Sequence, residues 1–119
     1  MSKTDRYYRW HPADAAILER LPIEGSVIGY QVLAATVARL RETLNRDVPA
    51  EGQLTSDQLQ SRLRSMHVAG YVVNIPVMGA KSRMGWQRTR KGELLYAEHT
   101  GRALGPTIER SHHGHQQEA

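Results

Sequence analysis

The chain has 119 residues, of which 39% are hydrophobic and 24% charged, so we expect one folded domain with a modest core. It contains no cysteine, which excludes disulfides, thiolate metal sites and a cysteine nucleophile. The formal net charge is +4 and favours an acidic partner. The first six residues lack the apolar region of a secretory signal, and no apolar run is long enough to span a membrane, so a cytoplasmic location is expected.

Residues 1–11 form a polar and aromatic N-terminal arm that precedes a short helix. The arm is predicted to pack as a strap against the core or a second subunit, with base stacking by its aromatic rings as the alternative; these are Tyr7, Tyr8 and Trp10, placed among Arg6 and Arg9. The helix should begin at Pro12, which is favoured in a first helical turn, and end before Pro22.

Two elements are predicted between residues 23 and 52. Residues 23–28 are short enough for a strand, and a strong helix is expected over residues 29–44. Apolar side chains recur there at helical spacing, and small residues between them would permit close packing; the apolar set is Val32, Leu33, Val37, Leu40 and Leu44. Residues 45–52 are predicted to be a loop because they contain Pro49 and Gly52.

The second half of the chain predicts a helix, a hairpin and a closing helix. Thr55 or Ser56 caps the first helix, which buries Leu59, Leu63 and Met66 and stops at Gly70. Strands are expected over 71–77 and 85–89, with a turn at 79–83 and Pro76 at an edge or strand end. The last helix opens at 91–92 and closes at Gly101; Leu94, Leu95 and Tyr96 are expected to face inward. Residues 101–119 are predicted to be a flexible polar tail, whose three histidines fit a mobile segment better than a metal site.

Charge is distributed unevenly along the chain. Residues 58–92 contain seven basic side chains and no acidic one; they are Arg62, Arg64, Lys81, Arg83, Arg88, Arg90 and Lys91. A surface chosen only for solubility would mix both signs. A field of one sign across a helix and the following hairpin predicts that a polyanion, namely nucleic acid, binds there.

Two segments carry a resemblance to a known superfamily. Residues 61–72 resemble the end of a recognition helix that enters a wing strand, and residues 85–95 resemble the second wing strand that enters a closing helix through a Thr-x-Lys-Gly step. Residues 12–100 are therefore similar to the winged helix-turn-helix superfamily of DNA-binding domains, including the MarR, PadR and ArsR repressors. The resemblance implies a mostly helical α+β fold with a two- to three-stranded antiparallel sheet.

The candidate site residues fall into two groups. The recognition helix would present side chains to the major groove, where glutamine pairs with adenine and arginine with guanine or phosphate; they are Ser56, Gln58, Gln60, Ser61, Arg62 and Arg64. The wing would hold the phosphate backbone through Lys81, Ser82, Arg83, Arg88, Arg90 and Lys91. Asp57 is expected to complement the helix dipole, although it could also accept from a cytosine amine.

We therefore expect sequence-specific binding of double-stranded DNA by a bacterial or phage transcriptional regulator, a repressor or an activator, for which a homodimer is favoured. Neutralising four to six phosphates would give a slope of log affinity against log salt of about −4 to −5. Two alternatives stay open: a winged-helix module that docks its basic face on an acidic protein, and a binder of structured RNA. No catalytic residue, metal, cofactor, membrane contact or effector is indicated.

Overall fold

A computed structural model describes residues 8–28, 31–77 and 84–104. Within them the chain is a small α+β protein with four α-helices and short antiparallel strands. In chain order these are α1 (Pro12–Arg20), β1 (Val27–Ile28), β2 (Gln31–Val32), α2 (Val37–Asn45), α3 (Ser56–Val68), β3 (Val72–Pro76), β4 (Met84–Arg88) and α4 (Arg90–Thr100). A short 3-10 turn at Ala50–Gly52 lies between α2 and α3.

The first helix begins where the sequence predicted. Pro12 occupies its first turn, and His11 is the N-cap residue, whose Nδ1 accepts a hydrogen bond from the backbone N–H of Ala13 at 3.0 Å. In return, the carboxylate of Asp14 accepts from the backbone N–H of His11 at 3.2 Å. The helix ends at Arg20, and Leu21 is its C-cap, immediately before the predicted breaker Pro22.

The prediction of a long helix over residues 29–44 is wrong for its first half. The chain instead pairs β1 with β2, and α2 starts only at Val37, after Thr36 caps it by accepting from the N–H of Arg39 at 3.2 Å. The small residues before Thr36 serve strand packing rather than helix packing. A Cβ added at Gly85 would lie 2.5 Å from that of Ala34, so the two backbones can approach only because both residues are small.

The main hairpin is antiparallel, with Val72 opposite Arg88 and Pro76 opposite Met84. Its strand β4 also contacts the segment before α2 through an isolated antiparallel bridge. The backbone N–H of Ala35 donates to the carbonyl of Trp86 at 3.0 Å, and the N–H of Trp86 donates back at 2.8 Å. Strand β4 is therefore central, and Pro76 lies at the end of β3, as predicted.

The buried face of α3 agrees with the sequence pattern. Leu59, Leu63 and Met66 are each fully buried, and they pack in one core with residues of every other helix. In α4, Tyr96 is buried but Leu94 is 55% exposed, so the prediction that Leu94 faces inward is wrong. Consecutive helical residues lie about 100° apart, and residues 94–96 therefore cannot all point to one side.

The junction between α3 and the hairpin is short and tightly packed. Gly70 adopts a left-handed conformation with φ of 87°, which ends the helix and turns the chain into β3. The N–H of Tyr71 donates to the carbonyl of Met66 at 2.8 Å. A Cβ on Gly92 would lie 2.2 Å from the carbonyl oxygen of Tyr71, so α4 can begin directly against this junction only with glycine there.

Candidate nucleic-acid interface

The solvent face of α3 carries most of the predicted groove-reading residues. Opposite its buried stripe, the exposed side chains of this helix are mainly polar; in its first three turns they are Asp57, Gln58, Gln60, Ser61 and Arg64. Because the stripe is fixed by the core, the rotation of α3 about its axis is fixed as well. Asp57 lies in the first turn, where a carboxylate complements the positive end of the helix dipole.

Two of the residues predicted to contact bases, Gln58 and Ser56, already make contacts within the protein. Thr55 Oγ1 accepts from the N–H of Gln58 at 3.1 Å, and Gln58 Oε1 accepts from the N–H of Thr55 at 2.9 Å, which completes the predicted capping box. This leaves the Gln58 amide nitrogen for a partner. Ser56 is half-buried, and its Oγ accepts from Nη1 of Arg41 at 3.4 Å, so it lies where α2 meets α3.

Arg62 is half-buried and paired with Asp14 of α1. Its Nε donates to Oδ1 at 2.9 Å and its Nη2 donates to Oδ2 at 2.7 Å, while the Asp14 side chain is fully buried. The Tyr8 hydroxyl donates to the same carboxylate. The hydrogen bond to Asp14 raises the pKa of Arg62, so the guanidinium stays charged. We withdraw Arg62 from the base-reading set, because moving it to DNA would leave a buried carboxylate without its counter-charge.

Arg88 is also an internal residue rather than a phosphate contact. It is 1% exposed, and its Nη1 donates to the carbonyl oxygens of Leu18 at 3.3 Å and Leu21 at 2.8 Å, near the end of α1. Its Nε lies 3.2 Å from the carboxylate of Glu93. The sequence predicted a wing contact because Arg88 belongs to a basic run. The structure corrects this, because the strand turns that side chain towards the core.

The remaining wing residues divide between the described and undescribed parts of the chain. Arg90 begins α4 with its side chain 80% exposed and 3.7 Å from Glu93. Lys91 Nζ donates to the carbonyl of Ala69 at 2.8 Å, where a cation stabilises the C-terminal end of α3. The predicted tip residues Lys81, Ser82 and Arg83 lie outside the described residues.

Sequence reasoning assigned no direct role to His11 and left Arg9 to a strap. His11 borders an open cleft of about 350 Å³ with the first two turns of α3; the other lining residues are Leu54, Asp57, Gln58, Ser61 and Arg62. Arg9 is exposed, and its carbonyl accepts from Arg62 Nη2 at 2.8 Å. The alternation of arginine with aromatic residues at 6–10 was the available signal. Its relation to α3 was not visible, because the contact spans 53 positions.

Two further features of the described residues bear on function. No group of three or more potential metal-ligating side chains occurs among them, and the histidines at 112, 113 and 115 lie outside them. None of the helices in the described ranges has the length and apolar character needed to cross a bilayer.

No family model matches the chain, and no curated protein matches it.

Proposed function

We propose that this chain is a small winged-helix protein that binds double-stranded DNA with sequence preference and acts as a transcriptional regulator of bacterial or phage type. The observation that carries the proposal is the orientation of α3. Its buried Leu59, Leu63 and Met66 leave Gln60, Ser61 and Arg64 in solvent, on a helix that continues through a tight turn into a hairpin. A helix of this kind fits the major groove, where amide, hydroxyl and guanidinium groups distinguish base pairs.

The order of elements supports the winged-helix assignment. The bridge from Ala35 to Trp86 places a third extended segment beside β4 directly before α2, which agrees with the expected two- to three-stranded sheet. Residues 46–55 between α2 and α3 form a long connection for a helix-turn-helix. Asn45 nevertheless closes it, because its Nδ2 donates to the carbonyl of Leu54 at 2.8 Å and its Oδ1 accepts from the Leu54 N–H at 3.0 Å.

The assignment of roles changes once the predicted residues that are engaged inside the protein are removed; these are Ser56, Arg62, Arg88 and Lys91. Gln60, Ser61 and Arg64 are the proposed base-reading residues, with Gln58 contributing through its amide nitrogen. Arg90 is proposed to contact phosphate, as are the hairpin residues Lys81, Ser82 and Arg83 on the basis of their sequence. With three phosphates neutralised per monomer, by Lys81, Arg83 and Arg90, the slope of log affinity against log salt should be about −2.7. A homodimer would present two copies of α3 to successive major grooves.

One observation favours a second function, docking on an acidic protein. Val68 at the end of α3 is 64% exposed, and an apolar side chain on the proposed interface suits a protein surface better than phosphate. The pairing of Arg62 with Asp14 also leaves this face less cationic than the sequence implied. In that case Arg64 and Arg90 would contact carboxylates around an apolar centre.

A mobility-shift series on the full chain tests the proposal. Duplex DNA, duplex RNA of the same sequence and no nucleic acid are compared across a salt series, with DNA sites obtained by random-sequence selection. We expect duplex DNA to bind most tightly, and Arg64→Ala to lose about 1–3 kcal/mol together with preference at one base position. Arg102→Ala is the matched control, because Arg102 is also an exposed arginine and its partner is Glu19 of α1, 3.5 Å away. A flat salt response, or equal defects in both variants, would overturn the proposal.

A further inference from the structure

The N-terminal segment is attached directly to the candidate recognition helix. The two hydrogen bonds from Arg62 to Asp14 use Nε and Nη2, and the same Nη2 donates to the carbonyl of Arg9 at 2.8 Å. One guanidinium therefore joins α3, α1 and the backbone of residue 9. Because the side chain of Asp14 is fully buried, its bonds to Arg62 are largely shielded from water, whereas the bond from Arg62 to the carbonyl of Arg9 is exposed.

Aromatic contacts hold the residues on both sides of Arg9. The ring of Tyr8 meets that of Tyr71 edge-on with centroids 4.9 Å apart, and Trp10 stacks on His99 of α4 with centroids 4.3 Å apart and planes 4° apart. Tyr8 and Trp10 are both half-buried against the core, whereas Arg9 is exposed. The neighbours of Arg9 therefore face the protein, and the guanidinium of Arg9 faces solvent.

The position and charge of Arg9 indicate what it would contact. It has no ion-pair partner within residues 8–28, 31–77 and 84–104, and its carbonyl is bonded to the side chain at the centre of α3. His11, two residues on, borders the cleft beside Gln58 and Ser61, in the half of α3 that reaches base edges in the proposed complex. A cation at this location lies beside the helix rather than on it, where the sugar-phosphate backbone that flanks a groove would pass.

We propose that residues 8–11 form a second part of the nucleic-acid interface, in which Arg9 contacts a phosphate that flanks the groove occupied by α3. Arg62 is a positioning residue: it does not touch DNA, but it fixes the backbone of residue 9 against α3. The inference rests on the proposed DNA-binding function. Arg62 was predicted to contact DNA; in this inference Arg9 makes the contact instead, and Arg62 holds the backbone of Arg9 in place.

Salt dependence of DNA binding by Arg9→Ala, Arg64→Ala and Arg102→Ala in the full chain tests the inference. Loss of one phosphate contact reduces the magnitude of the slope of log affinity against log salt by about 0.9. The ratio of wild-type affinity to Arg9→Ala affinity should therefore shrink about 3.5-fold for each fourfold rise in salt. The loss should be the same for selected and unselected duplexes, because phosphate carries no sequence information. Arg102→Ala should leave the slope unchanged although it removes the same charge.

A double-mutant cycle separates positioning from a purely structural role for Arg62. Arg62→Lys keeps a cation beside Asp14 but loses the planar fork that also reaches residue 9. We expect Arg62→Lys to weaken DNA binding in wild type and to have little further effect in Arg9→Ala. A structural role would lower the melting temperature equally in both backgrounds and leave the two binding losses additive.

The possible outcomes distinguish this inference from the function on which it rests. If Arg64→Ala weakens binding while Arg9→Ala behaves like Arg102→Ala, the inference fails and the proposed function stands. If the wild-type chain shows no salt-dependent binding to duplex DNA, both fail. Binding to polyglutamate that Arg9→Ala weakens, without binding to DNA, would assign this surface to an acidic protein instead and would overturn both.

Discussion

Asp14 of α1 accepts two hydrogen bonds from Arg62 of α3, from Nε at 2.9 Å and from Nη2 at 2.7 Å, across 48 positions of the sequence. The same carboxylate accepts from the hydroxyl of Tyr8 and from the N–H of His11. Four hydrogen bonds therefore reach this carboxylate, one at Oδ1 and three at Oδ2, and no buried side-chain polar atom of the described residues lacks a partner. This cluster sets how the N-terminal segment, α1 and α3 meet.

Removing either member of this pair should destabilise the fold strongly. Arg62→Ala leaves the buried Asp14 carboxylate unpaired, and we expect a loss of about 3–5 kcal/mol in the free energy of unfolding, measured with urea. Arg64→Ala is the matched control on the same helix: it removes an exposed arginine and should change stability by no more than about 0.5 kcal/mol. If the free energy of unfolding of Arg62→Ala fell no more than that of Arg64→Ala, the buried Asp14 carboxylate would not depend on Arg62.

Arg88 and Arg90 should separate stability from binding. Arg88→Ala leaves a cavity and removes a donor from two buried carbonyls, so it should lower the free energy of unfolding by about 3 kcal/mol or more. Arg90→Ala removes an exposed charge and should be nearly neutral in stability while it reduces the salt slope of DNA binding by about 1. Urea denaturation and mobility shifts on both variants check this. A folded, stable Arg88→Ala chain that binds DNA poorly would restore Arg88 to the interface.

Gly92→Ala should destabilise the protein although alanine favours helices. The added Cβ would lie 2.2 Å from the carbonyl oxygen of Tyr71, so α4 must move away from the start of the hairpin. We expect a net loss of about 1–3 kcal/mol, against a propensity gain of about 1 kcal/mol at an unobstructed helical site. Leu94→Ala, at an exposed position of the same helix, is the control and should be close to neutral. A more stable Gly92→Ala chain would contradict the close contact.

Ionisation of Tyr8 should lower the free energy of unfolding at alkaline pH. Burial raises the pKa of its hydroxyl above the ordinary value, and the hydrogen bond to Asp14 raises it further. The folded chain therefore holds this proton more tightly than the unfolded chain. Stabilisation is complete below about pH 10, where both states are protonated, and is lost as pH rises above it, at most about 1.4 kcal/mol per pH unit for one proton.

Tyr8→Phe tests that pH dependence directly. The variant should be less stable than wild type at neutral pH, because it loses the hydrogen bond to Asp14, but its stability should fall less steeply above about pH 10. Some slope should remain, because the hydrogen bond to Glu19 also raises the pKa of Tyr96. Urea denaturation at several alkaline pH values measures both slopes. Equal slopes in the two chains would exclude Tyr8 as a source of the effect.

Local signals predicted the parts of the fold that depend on neighbours in sequence. The start of α1 at Pro12, the capping box of Thr55 and Gln58, and the buried face of α3 all depend on residues within one or two turns. The prediction of one helix over residues 29–44 was wrong because local signals were ambiguous there: alanine suits a tightly packed helix and also a strand that lies close to another backbone. Only the contact of Ala34 with Gly85 decides between these, and it is not local.

The candidate site was predicted less completely than the fold, because charge alone does not state where a side chain points. The basic run between residues 58 and 92 included Arg62 and Arg88, and both are bound to distant parts of the chain. Arg88 has one near partner, Glu93, but Asp14 and the carbonyls at the end of α1, which hold the two arginines inside, lie at least 48 positions away. Arg64 remained exposed because the α3 stripe, a local pattern, also determines which residues face solvent.

The C-terminal end of α3 cannot rotate independently of the hairpin. Thr89 Oγ1 donates to the carbonyl of Gly70 at 2.7 Å, and Lys91 donates to that of Ala69, so both ends of the hairpin are fastened to the same turn. A molecule that touches α3 and the base of the hairpin together would therefore meet two surfaces whose separation these bonds restrict, and would have to adapt its own shape to them. Selection among such molecules would then depend on how easily each one bends, in addition to the chemical groups it displays.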